Sequence, residues 1–473
     1  MSALRRLSGW FDERLGWSKA ILPVIQHPVP PGVNWWYVLG SATLVAFTVQ
    51  VVTGVALAFT YVPAPNSAYS TLEFITNTAT LGYIVRGIHY WGASAMVVLI
   101  FAHAIRVFLT GSFKYPRELN WFTGVGLLLL TLGMAFTGQL LRWDQNAYWA
   151  IVIGAEQVGR VPWIGHWLAE LLFAGQTIGG ATLTRFYATH VFLIPALMFL
   201  LIGVHLYLVV HHGISEPPVP GRVIPRESYK QWYDELLQRE GIPFWPDAAW
   251  RDVIFALAIG TVVLILAIVL GPVQLAGNAN PTIILANPRP DWEFIWYYAF
   301  LSLIPPTIEN VFIIGFPIVA IIGFLIVPIV ASSGERSPRR RPWAVVIVLL
   351  SVVSVAVMAR KGEIAPWSPR FLPPEVATSK LPPLSAQANE GRLLFNQMAC
   401  HDCHTIAGTG GLRGPNLTSI GDRLTPNQLT WRILNGGYNM PAYGTILSPS
   451  QVQNLVAFLS ALKVSSQTAS GSP

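Results

Sequence analysis

The chain has 473 residues, of which 53% are hydrophobic and only 11% are charged, whereas a typical soluble domain has about 25% charged residues. This composition and the apolar runs of about 20 residues exclude a soluble globular protein and predict one embedded in a lipid membrane. A net charge of +7 would suggest a nucleic-acid partner in a soluble protein. Here the basic residues lie in loops between apolar runs, which is typical of topology control, so we expect no nucleic-acid partner.

Seven apolar spans, A to G, are predicted in chain order: roughly 34–59, 84–109, 122–141, 187–209, 253–272, 309–331 and 343–359. Between spans C and D, residues 148–175 are amphipathic, which predicts short helices lying at the membrane interface. Residues 216–250 are polar and contain prolines, so we expect a loop that separates two groups of spans.

Lysine and arginine are concentrated before span A and in the B–C, D–E and F–G loops. The positive-inside rule places these basic segments in the cytoplasm. Seven spans then deliver the C-terminus to the opposite side. We therefore expect a multi-pass protein of the bacterial inner (cytoplasmic) membrane with its N-terminus in the cytoplasm.

The sequence after span G has a different character. Residues 361–384 are rich in proline and predict an extended tether. Residues 385–465 predict a small soluble all-α domain, with helix starts at Ser385 and at Thr425, which precedes a proline. Residues 466–473 are expected to form a disordered tail. The predicted fold class is thus all-α, a seven-helix membrane bundle followed by a small helical domain.

Two spans carry histidines at membrane depth, where an ionisable group is costly and usually functional. Span B contains His89 and His103, fourteen residues apart, and span D contains His190 and His205, fifteen apart. Fourteen residues advance about 21 Å, close to four helical turns, so both members of a pair share one helix face. If B and D are neighbours, His89 faces His190 and His103 faces His205, which predicts two bis-histidine haem sites. Polar contacts between helices are the alternative.

Glycines repeat the same axial step in the spans on either side. Gly40 and Gly54 in span A, and Gly124 and Gly138 in span C, are each fourteen residues apart. A residue without a side chain lets a flat macrocycle approach the backbone. The glycines therefore support the haem interpretation, although membrane helices are rich in glycine in general.

The small domain contains the segment Cys400-His401-Asp402-Cys403-His404. The pattern C-x-x-C-H is the attachment signal for a c-type haem, in which two thioethers hold the ring and His404 binds the iron. Met440 is the predicted sixth ligand, and histidine–methionine ligation raises the reduction potential relative to two histidines. A zinc site is the alternative, but adjacent Cys403 and His404 favour haem and the chain has no further cysteine.

Besides the spaced histidines, the chain contains several further motifs, namely WFDERL (10–15), FKYPREL (113–119), RWDQ (142–145), LTRFYATH (183–190), HHGIS (211–215), PDWEF (290–294) and RRRP (339–342). Together, over residues 1–360, they resemble the cytochrome b family of quinol-oxidising cytochrome bc complexes. The similarity is greatest to the chloroplast and cyanobacterial branch, whose four-helix and three-helix subunits look fused here, while 385–465 resembles class I cytochrome c.

The resemblance implies a four-helix diheme part over 1–215 and a three-helix quinol-site part over 216–360. It also implies basic partners for the haem propionates, whose alternative role is interfacial topology charge. These candidates are Arg86, Arg106, Lys114 and Arg185. The chloroplast-type branch attaches an extra haem through a cysteine where this chain has Val38, so that covalent haem cannot form.

The loop between spans E and F is the expected quinol site. In the family it carries Pro-Glu-Trp-Tyr, whose glutamate takes a proton from quinol. This chain has Asp291 at the glutamate position and Glu293 at the tyrosine position, and Arg142 replaces the usual proline of the RWDQ segment. A carboxylate at a protein–lipid boundary can have a raised pKa that suits proton abstraction, and either acid could be the base.

The implied function is the cytochrome b/c subunit of a quinol:cytochrome c reductase. Quinol is oxidised on the outer side, electrons cross the membrane through two non-covalent b haems, and others leave through one covalent c haem. A Rieske iron–sulfur protein, a downstream soluble cytochrome or oxidase and a second copy of the chain are the expected partners. The alternative is a non-bifurcating diheme anchor that relays electrons between a dehydrogenase and quinone.

Overall fold

The computed structural model describes residues 2–463 with several short gaps. The gaps are 17, 20–21, 23–24, 176, 281–287, 306–307, 365–373, 412–413, 438–439 and 445. The predicted disordered tail at 466–473 and the middle of the predicted tether lie outside the described residues.

The described chain is almost entirely helical. Up to the fourth long span its helices are α1 (Ser2–Leu15), α2 (Leu39–Ala58), α3 (Ala68–Asn77), α4 (Gly82–Leu109), α5 (Glu118–Leu140), α6 (Gln145–Gly159), α7 (Gly165–Phe173) and α8 (Gly180–His212). They are followed by α9 (Arg226–Glu240), α10 (Trp250–Val269), α11 (Trp292–Ser302), α12 (Glu309–Val330), α13 (Pro342–Glu363), α14 (Ala386–Gln397), α15 (Ile420–Arg423), α16 (Pro426–Asn435) and α17 (Pro449–Ala461).

The described chain has two short antiparallel strand pairs, one between distant segments and one a local hairpin. Strand β1 (Pro28–Val29) pairs with β2 (Ile242–Pro243), with Val29 opposite Ile242. Strand β3 (Thr405–Ile406) pairs with β4 (Thr409–Gly410) in the C-terminal domain. The first pair joins the segment before α2 to the segment before α10, so α2 and α10 begin at the same end of the bundle.

Seven of the described helices are long and apolar enough to cross a bilayer, namely α2, α4, α5, α8, α10, α12 and α13. They correspond to spans A to G, so the predicted seven spans and the all-α fold class are confirmed. The amphipathic stretch between spans C and D forms the two short helices α6 and α7, as expected.

The four helices of the N-terminal half pack in two pairs, α2 on α4 and α5 on α8, and α10 packs on the free side of α4. An apolar layer fills the middle of this bundle. It includes Met96 and Leu99 from α4 and Ile194 and Met198 from α8, all buried. These residues lie between the two histidines of their own helix, so the layer separates two polar levels of the bundle.

The expectation that residues 216–250 form only a loop is wrong, because α9 lies within that segment. Tyr229 and Tyr233, one turn apart, are buried against the guanidinium of Arg117, which donates a 2.8 Å hydrogen bond to the Tyr229 hydroxyl. Tyr229 in turn donates to buried Glu216 at 2.7 Å. The polar composition hid a helix whose buried face consists of tyrosines paired with charges.

The C-terminal domain begins where the sequence predicts. The Ser385 hydroxyl accepts the Ala388 N–H at the start of α14, and Thr425 and Gln428 form a reciprocal capping box at the start of α16. Helices α14 and α17 cross closely, and Phe395 stacks edge-to-face on Phe458 at their contact, both fully buried. These contacts give the domain an apolar core of its own.

Gly391 makes the close crossing of α14 and α17 possible, since a Cβ there would fall against the Asn454 carbonyl oxygen. We expect Gly391→Ala to destabilise the C-terminal domain by about 1–3 kcal/mol, the usual cost of overpacking. Hydrogen exchange measured on the full chain should become faster in peptides from α14 and α17 and stay unchanged in the membrane helices. The exposed neighbour change Glu390→Ala is the control, and equal exchange in both variants would contradict the packing argument.

Candidate haem sites and the adjoining loop

The structure brings the four membrane histidines together across α4 and α8. The ring centroids of His89 and His190 are 6.4 Å apart and their planes lie at 77°. His103 and His205 are near enough at the other level for the charge of one to act on the other. The predicted pairing of histidines at two depths therefore matches their placement in the bundle.

The His89 and His190 rings are near enough for both to bind one metal ion, since a metal–imidazole nitrogen bond is about 2.0 Å long. His89 and His190 would then hold the iron of one haem.

A π-helical turn explains how a fifteen-residue spacing in α8 matches a fourteen-residue spacing in α4. Residues Thr189–Leu193 form this turn, in which the Ile194 N–H bonds to the Thr189 carbonyl, five residues back. A π-turn takes up one extra residue within an otherwise regular helix, and such turns are frequent at functional sites. His190 therefore stands where a fourteen-residue step in a regular helix would place it.

Three of the four imidazoles are held by a Thr-Gly dipeptide on the adjacent helix. The hydroxyl of Thr53 in α2 lies 2.9 Å from His89 Nδ1. In α5, the hydroxyl of Thr137 lies 3.0 Å from His190 Nδ1, and that of Thr123 lies 2.8 Å from His205 Nδ1.

These hydrogen bonds fix which imidazole nitrogen is open. Each threonine hydroxyl has one proton, which it donates to the carbonyl four residues earlier on its own helix. The threonine oxygen must therefore accept the Nδ1–H of the histidine. The Nε2 lone pair is left for a metal, and a hydrogen-bonded Nδ1–H makes the imidazole a stronger ligand.

Each predicted glycine lies directly against the edge of one of these imidazoles. A Cβ would lie 3.2 Å from His89 Cε1 at Gly54, 2.8 Å from His190 Cε1 at Gly138, and 3.1 Å from His103 Cε1 at Gly40. At Gly124 the corresponding distance to His205 Cε1 is 3.6 Å. The glycines thus make room for the ligand rings themselves, a role that the sequence argument about a macrocycle did not include.

Sequence reasoning missed the three threonines, although a signal was present. The dipeptide Thr-Gly occurs at 53–54, 123–124 and 137–138, so three of the four spaced glycines are preceded by threonine. The exception is Gly40, which follows Leu39. His103 accordingly has no threonine partner of this kind.

Arg106 differs from the other basic candidates for propionate partners. It is 8% exposed and stacks over the Tyr37 ring at 3.7 Å, and its Nε and one Nη have no hydrogen-bond partner among the described residues. An unpaired buried guanidinium is costly unless an anion satisfies it. Because it lies one turn from His103, its donors fit a carboxylate of a group held at that level.

The other three basic candidates donate to backbone or side-chain oxygens of the protein. Arg86 bridges Thr76 Oγ1 and the Val273 carbonyl, both at 2.9 Å. Lys114 donates to the Ser333 carbonyl, and exposed Arg185 donates to a carbonyl of α7. Their assignment to propionates remains a prediction.

The RWDQ segment after α5 holds the loop that precedes α11. Asp144 Oδ1 caps α6 and its Oδ2 accepts the Ala276 N–H at 3.2 Å, while Gln145 donates to the Asn280 carbonyl at 2.9 Å. Gln139 Oε1 accepts the Asp291 N–H at 3.1 Å. The two sequence motifs that stand far apart in the chain therefore form one site at the His89 end of the bundle.

The two acids of this loop have different environments. Asp291 makes a two-point ion pair with Arg142, with N–O distances of 2.9 and 3.2 Å. Glu293 lies in the first turn of α11 and is partly buried. Burial raises the pKa of Glu293 to about 7, and the charge of Asp291 adds to this rise while Arg142 opposes it. Only one of the two carboxylates is thus committed to a cation.

The C-x-x-C-H segment presents His404 with a defined tautomer. The buried His404 ring donates its Nδ1–H to the Pro415 carbonyl at 2.9 Å, which leaves Nε2 available to iron. Cys400 and Cys403 are half-buried and not joined to each other. In the described part of the chain no three His, Cys, Asp or Glu side chains converge on a metal position.

Met440 lies in the loop after α16, where its carbonyl accepts the Gly437 N–H at 2.8 Å. Tyr443, three residues further, is buried in the same core against which Cys400 packs. The chain after α16 therefore returns to the C-x-x-C-H segment, as a sixth ligand from this loop requires, and Met440 remains a prediction.

Three family models match the chain in succession. "Cytochrome b/b6/petB" matches residues 24–213, "Cytochrome b(C-terminal)/b6/petD" matches 278–379, and "Cytochrome C oxidase, cbb3-type, subunit III" matches 386–459. The four histidines of α4 and α8 lie within the first match, the two loop acids within the second, and the C-x-x-C-H segment within the third.

Curated relatives and one solved structure agree with these matches. Cytochrome b6 of Heliobacterium mobile is 43% identical over 210 residues, which is 44% of this chain and 99% of that protein. Cytochrome b6 of Synechococcus elongatus is 42% identical over 214 residues, which is 45% of this chain and all of that protein. The fold is similar to a chain of a hyperthermophilic respiratory Complex III, with a TM-score of 0.65 and 24% identity over 76% of this chain and 91% of that one.

The threonine partners generate a test of the ligand assignment. We expect Thr137→Val to raise the reduction potential of one b-type haem, on the order of tens of millivolts, because a weaker imidazole ligand stabilises ferric iron less. Redox titration of the b absorbance measures the change. Thr131→Val is the matched control, because Thr131 is buried in the same helix and donates only to the Leu127 carbonyl. Equal effects of both changes would contradict the assignment.

Proposed function

The chain belongs to the cytochrome b/b6 family, and from that premise we propose that it is the cytochrome b/c subunit of a quinol:cytochrome c reductase. Its b-type part binds b-type haem and its C-terminal domain is a cytochrome c domain that binds c-type haem. In the proposed reaction quinol is oxidised at the His89 end of the bundle. Electrons are shared between a path across the membrane and a path outward to the tethered domain.

The placement of the four histidines is the observation that carries this proposal. Two pairs of histidines at two depths, separated by an apolar layer, would hold two b haems through their ring nitrogens. His404 and Met440 would hold one c haem, attached through Cys400 and Cys403. When bound, each haem supplies an iron that gains and loses one electron.

The chain's own residues set the rest of the site. Arg106 offers its unpaired buried donors to an anionic group at the His103 level. At the His89 level, the 142–145 segment fixes the loop that carries Asp291 and Glu293, one of which accepts a proton from quinol. Asp291 is mostly buried and Glu293 is partly buried, so both acids lie at the edge of the protein interior, where a quinol ring can approach them.

The proposed orientation follows the charge distribution. The basic loops near Lys114, Arg226 and Arg341 all belong to the His103 end, so the positive-inside rule places that end in the cytoplasm. The His89 end and the C-terminal domain then lie outside the bacterial inner membrane. Covalent attachment of c haem outside the cytoplasm agrees with this arrangement.

The proposed complex needs partners that this chain does not supply. Its only two cysteines lie in the C-x-x-C-H segment, so a Rieske cluster, with two cysteine and two histidine ligands, must come from another protein. We propose that a Rieske protein is the high-potential acceptor from quinol, that the tethered domain passes electrons to a soluble cytochrome or an oxidase, and that the complex contains two copies of this chain.

We also propose the domain division expected from the sequence. The four-helix diheme part comprises 1–215 and the three-helix part 216–360, followed by a tether at 361–384 and the cytochrome c domain at 385–465. The middle family match ends at residue 379, within the proposed tether.

The experiment that tests the function is an oxidant pulse given to the purified complex with excess quinol. We expect two b haems for each c haem, and a transient reduction of b haem when the c haem is oxidised. This response requires quinol to send its two electrons along different paths. A complex in which c haem turns over while b haem remains a bystander would contradict the proposal.

The two histidine levels have distinguishable roles. We expect His190→Leu and His103→Leu each to lower the b-to-c ratio from two to one, because each removes one axial ligand. In His103→Leu the remaining b haem should still be reduced in an oxidant pulse, whereas in His190→Leu it should not. Exposed His166 in α7 provides the control, and His166→Gln should keep the ratio of two. Identical pulse responses in both ligand variants would contradict the assigned direction.

A further inference from the structure

Three departures from the family pattern come together at one place in the fold. Arg142 replaces the usual proline, Asp291 replaces glutamate and Glu293 replaces tyrosine. Arg142 lies after α5, while the two acids lie at the start of α11, about 150 residues later in the chain. In the fold, Arg142 and Asp291 form an ion pair, and Glu293 lies near both.

Arg142 and Asp291 form an ion pair with two N–O contacts. Arg142 Nη2 lies 2.9 Å from Asp291 Oδ1 and Nη1 lies 3.2 Å from Oδ2, and the two side chains are 9% and 15% exposed. Arg142 also lies 3.6 Å from Asp144. A two-point pair between arginine and a carboxylate fixes the geometry of both groups, so Arg142 holds the Asp291 side chain in one position.

The helix start confirms that Asp291 is committed to the arginine. Asp291 is the N-cap residue of α11, where an aspartate usually accepts a backbone N–H of the first turn. Its side chain makes no such bond here, and the Phe294 N–H bonds to the Asp291 carbonyl instead. The carboxylate has been drawn away from the helix toward Arg142.

Glu293 has no comparable partner. No other side chain in the described part of the structure donates a hydrogen bond to its carboxylate. The titratable groups that act on it are Asp291, Arg142 and, from α4, Tyr90. The faces that α12 and α13 turn toward α11 are apolar, with Phe316 against Trp296 and Gly362 against Ile295.

The same turn of α11 contacts the helix that carries His89. The Trp292 indole donates a 3.1 Å hydrogen bond to Ser94 of α4. Tyr90, the residue after His89 in α4, interacts electrostatically with Glu293. Trp292 is 42% exposed. Glu293 thus lies beside the outer histidine level at a partly open aromatic surface, where a quinol ring could bind.

We propose that Glu293, at the position where the family has tyrosine, is the group that takes the proton from quinol, and that Asp291 is a positioning residue locked by Arg142. This proposal rests on the proposed function. In the step, a quinol O–H bond breaks and its proton bonds to a carboxylate oxygen of Glu293. The second quinol proton goes to water, and the two electrons go to two one-electron acceptors, the iron–sulfur centre of the partner protein and the haem between His89 and His190.

The electrostatic arrangement favours this division of roles. A base works best when its pKa lies near the operating pH, and burial raises the pKa of Glu293 to about 7. The charge of Asp291 contributes to that rise in the Glu293 pKa, and the charge of Arg142 opposes it. The rate of quinol oxidation should therefore increase as the pH rises through about 7, where Glu293 becomes deprotonated.

The test compares the pH profile of quinol oxidation in the intact complex for matched variants. Glu293→Gln should slow oxidation by about 10²–10⁴-fold near neutral pH, the usual effect of losing a general base, and should abolish the rise with pH. Glu293→Asp should restore part of the rate and the rise. Glu309→Gln, which alters another outer carboxylate in an ion pair with Arg160, should leave the profile unchanged.

Asp291→Asn should shift the rise in rate with pH, whereas Glu293→Gln should abolish it. It removes the anion that raises the Glu293 pKa and releases the cation that lowers it, so the rise should persist but move to lower pH. Infrared titration of the protonated carboxyl band, without turnover, should show the same shift and lose the band in Glu293→Gln. These readouts separate a tuned base from a merely structural effect.

Each outcome decides between the possibilities. If Asp291→Asn abolishes the pH rise while Glu293→Gln keeps it, or if neither change slows oxidation, the assignment of Glu293 is overturned. If the wild-type complex has its full haem content but does not oxidise quinol, the proposed function fails instead. The b-to-c absorbance ratio verifies that each variant has assembled before its rate is interpreted.

Discussion

The bundle depends on presenting four imidazoles in pairs within an apolar interior, three of them with Nδ1 hydrogen-bonded and Nε2 open. A buried polar group without a partner is costly, so each ring needs a hydrogen bond that does not occupy Nε2. For three rings the partner is a threonine hydroxyl on the neighbouring helix, whose own proton is already used by its backbone. This requirement determines which faces of α2 and α5 turn toward α4 and α8.

The glycines complete that arrangement for a steric reason. The hydroxyl can reach Nδ1 only if the helix backbones are close, and a side chain at the next position would collide with Cε1. Threonine followed by glycine satisfies both conditions in two consecutive residues. The apolar layer containing Met96 and Met198 then separates the two levels, so each level is an independent site on a common scaffold.

At the His89 end, a second constraint connects the two halves of the membrane part. In the described part of the segment before α11, backbone groups of Ala276, Asn280 and Asp291 are hydrogen-bonded by side chains of the 139–145 region. A substitution in one segment therefore has consequences in the other. Arg142 and Asp291 form an ion pair, so each departure from the family pattern accounts for the other. Glu293 is then the acid of the site that has no ion-pair contact with Arg142.

Local sequence patterns were enough to predict the membrane class, the seven spans, the helix starts at Ser385 and Thr425, and the two depths at which the membrane histidines lie. These features follow from local composition, helical period and capping chemistry, which operate between residues close in the chain. It did not indicate α9 within 216–250, because the buried tyrosines of that helix are matched to Arg117, a residue far away in the sequence.

The roles of the histidines, threonines and loop acids became apparent only from their contacts in the folded structure. The fifteen-residue spacing became equivalent to fourteen through the π-turn at His190, and the threonines acquired meaning from rings on another helix. Two acids of one short motif separated into a locked and an open carboxylate because Arg142, distant in sequence, reaches only one of them. Such distinctions depend on contacts between segments that the fold brings together, and periodicity along a chain contains no record of them.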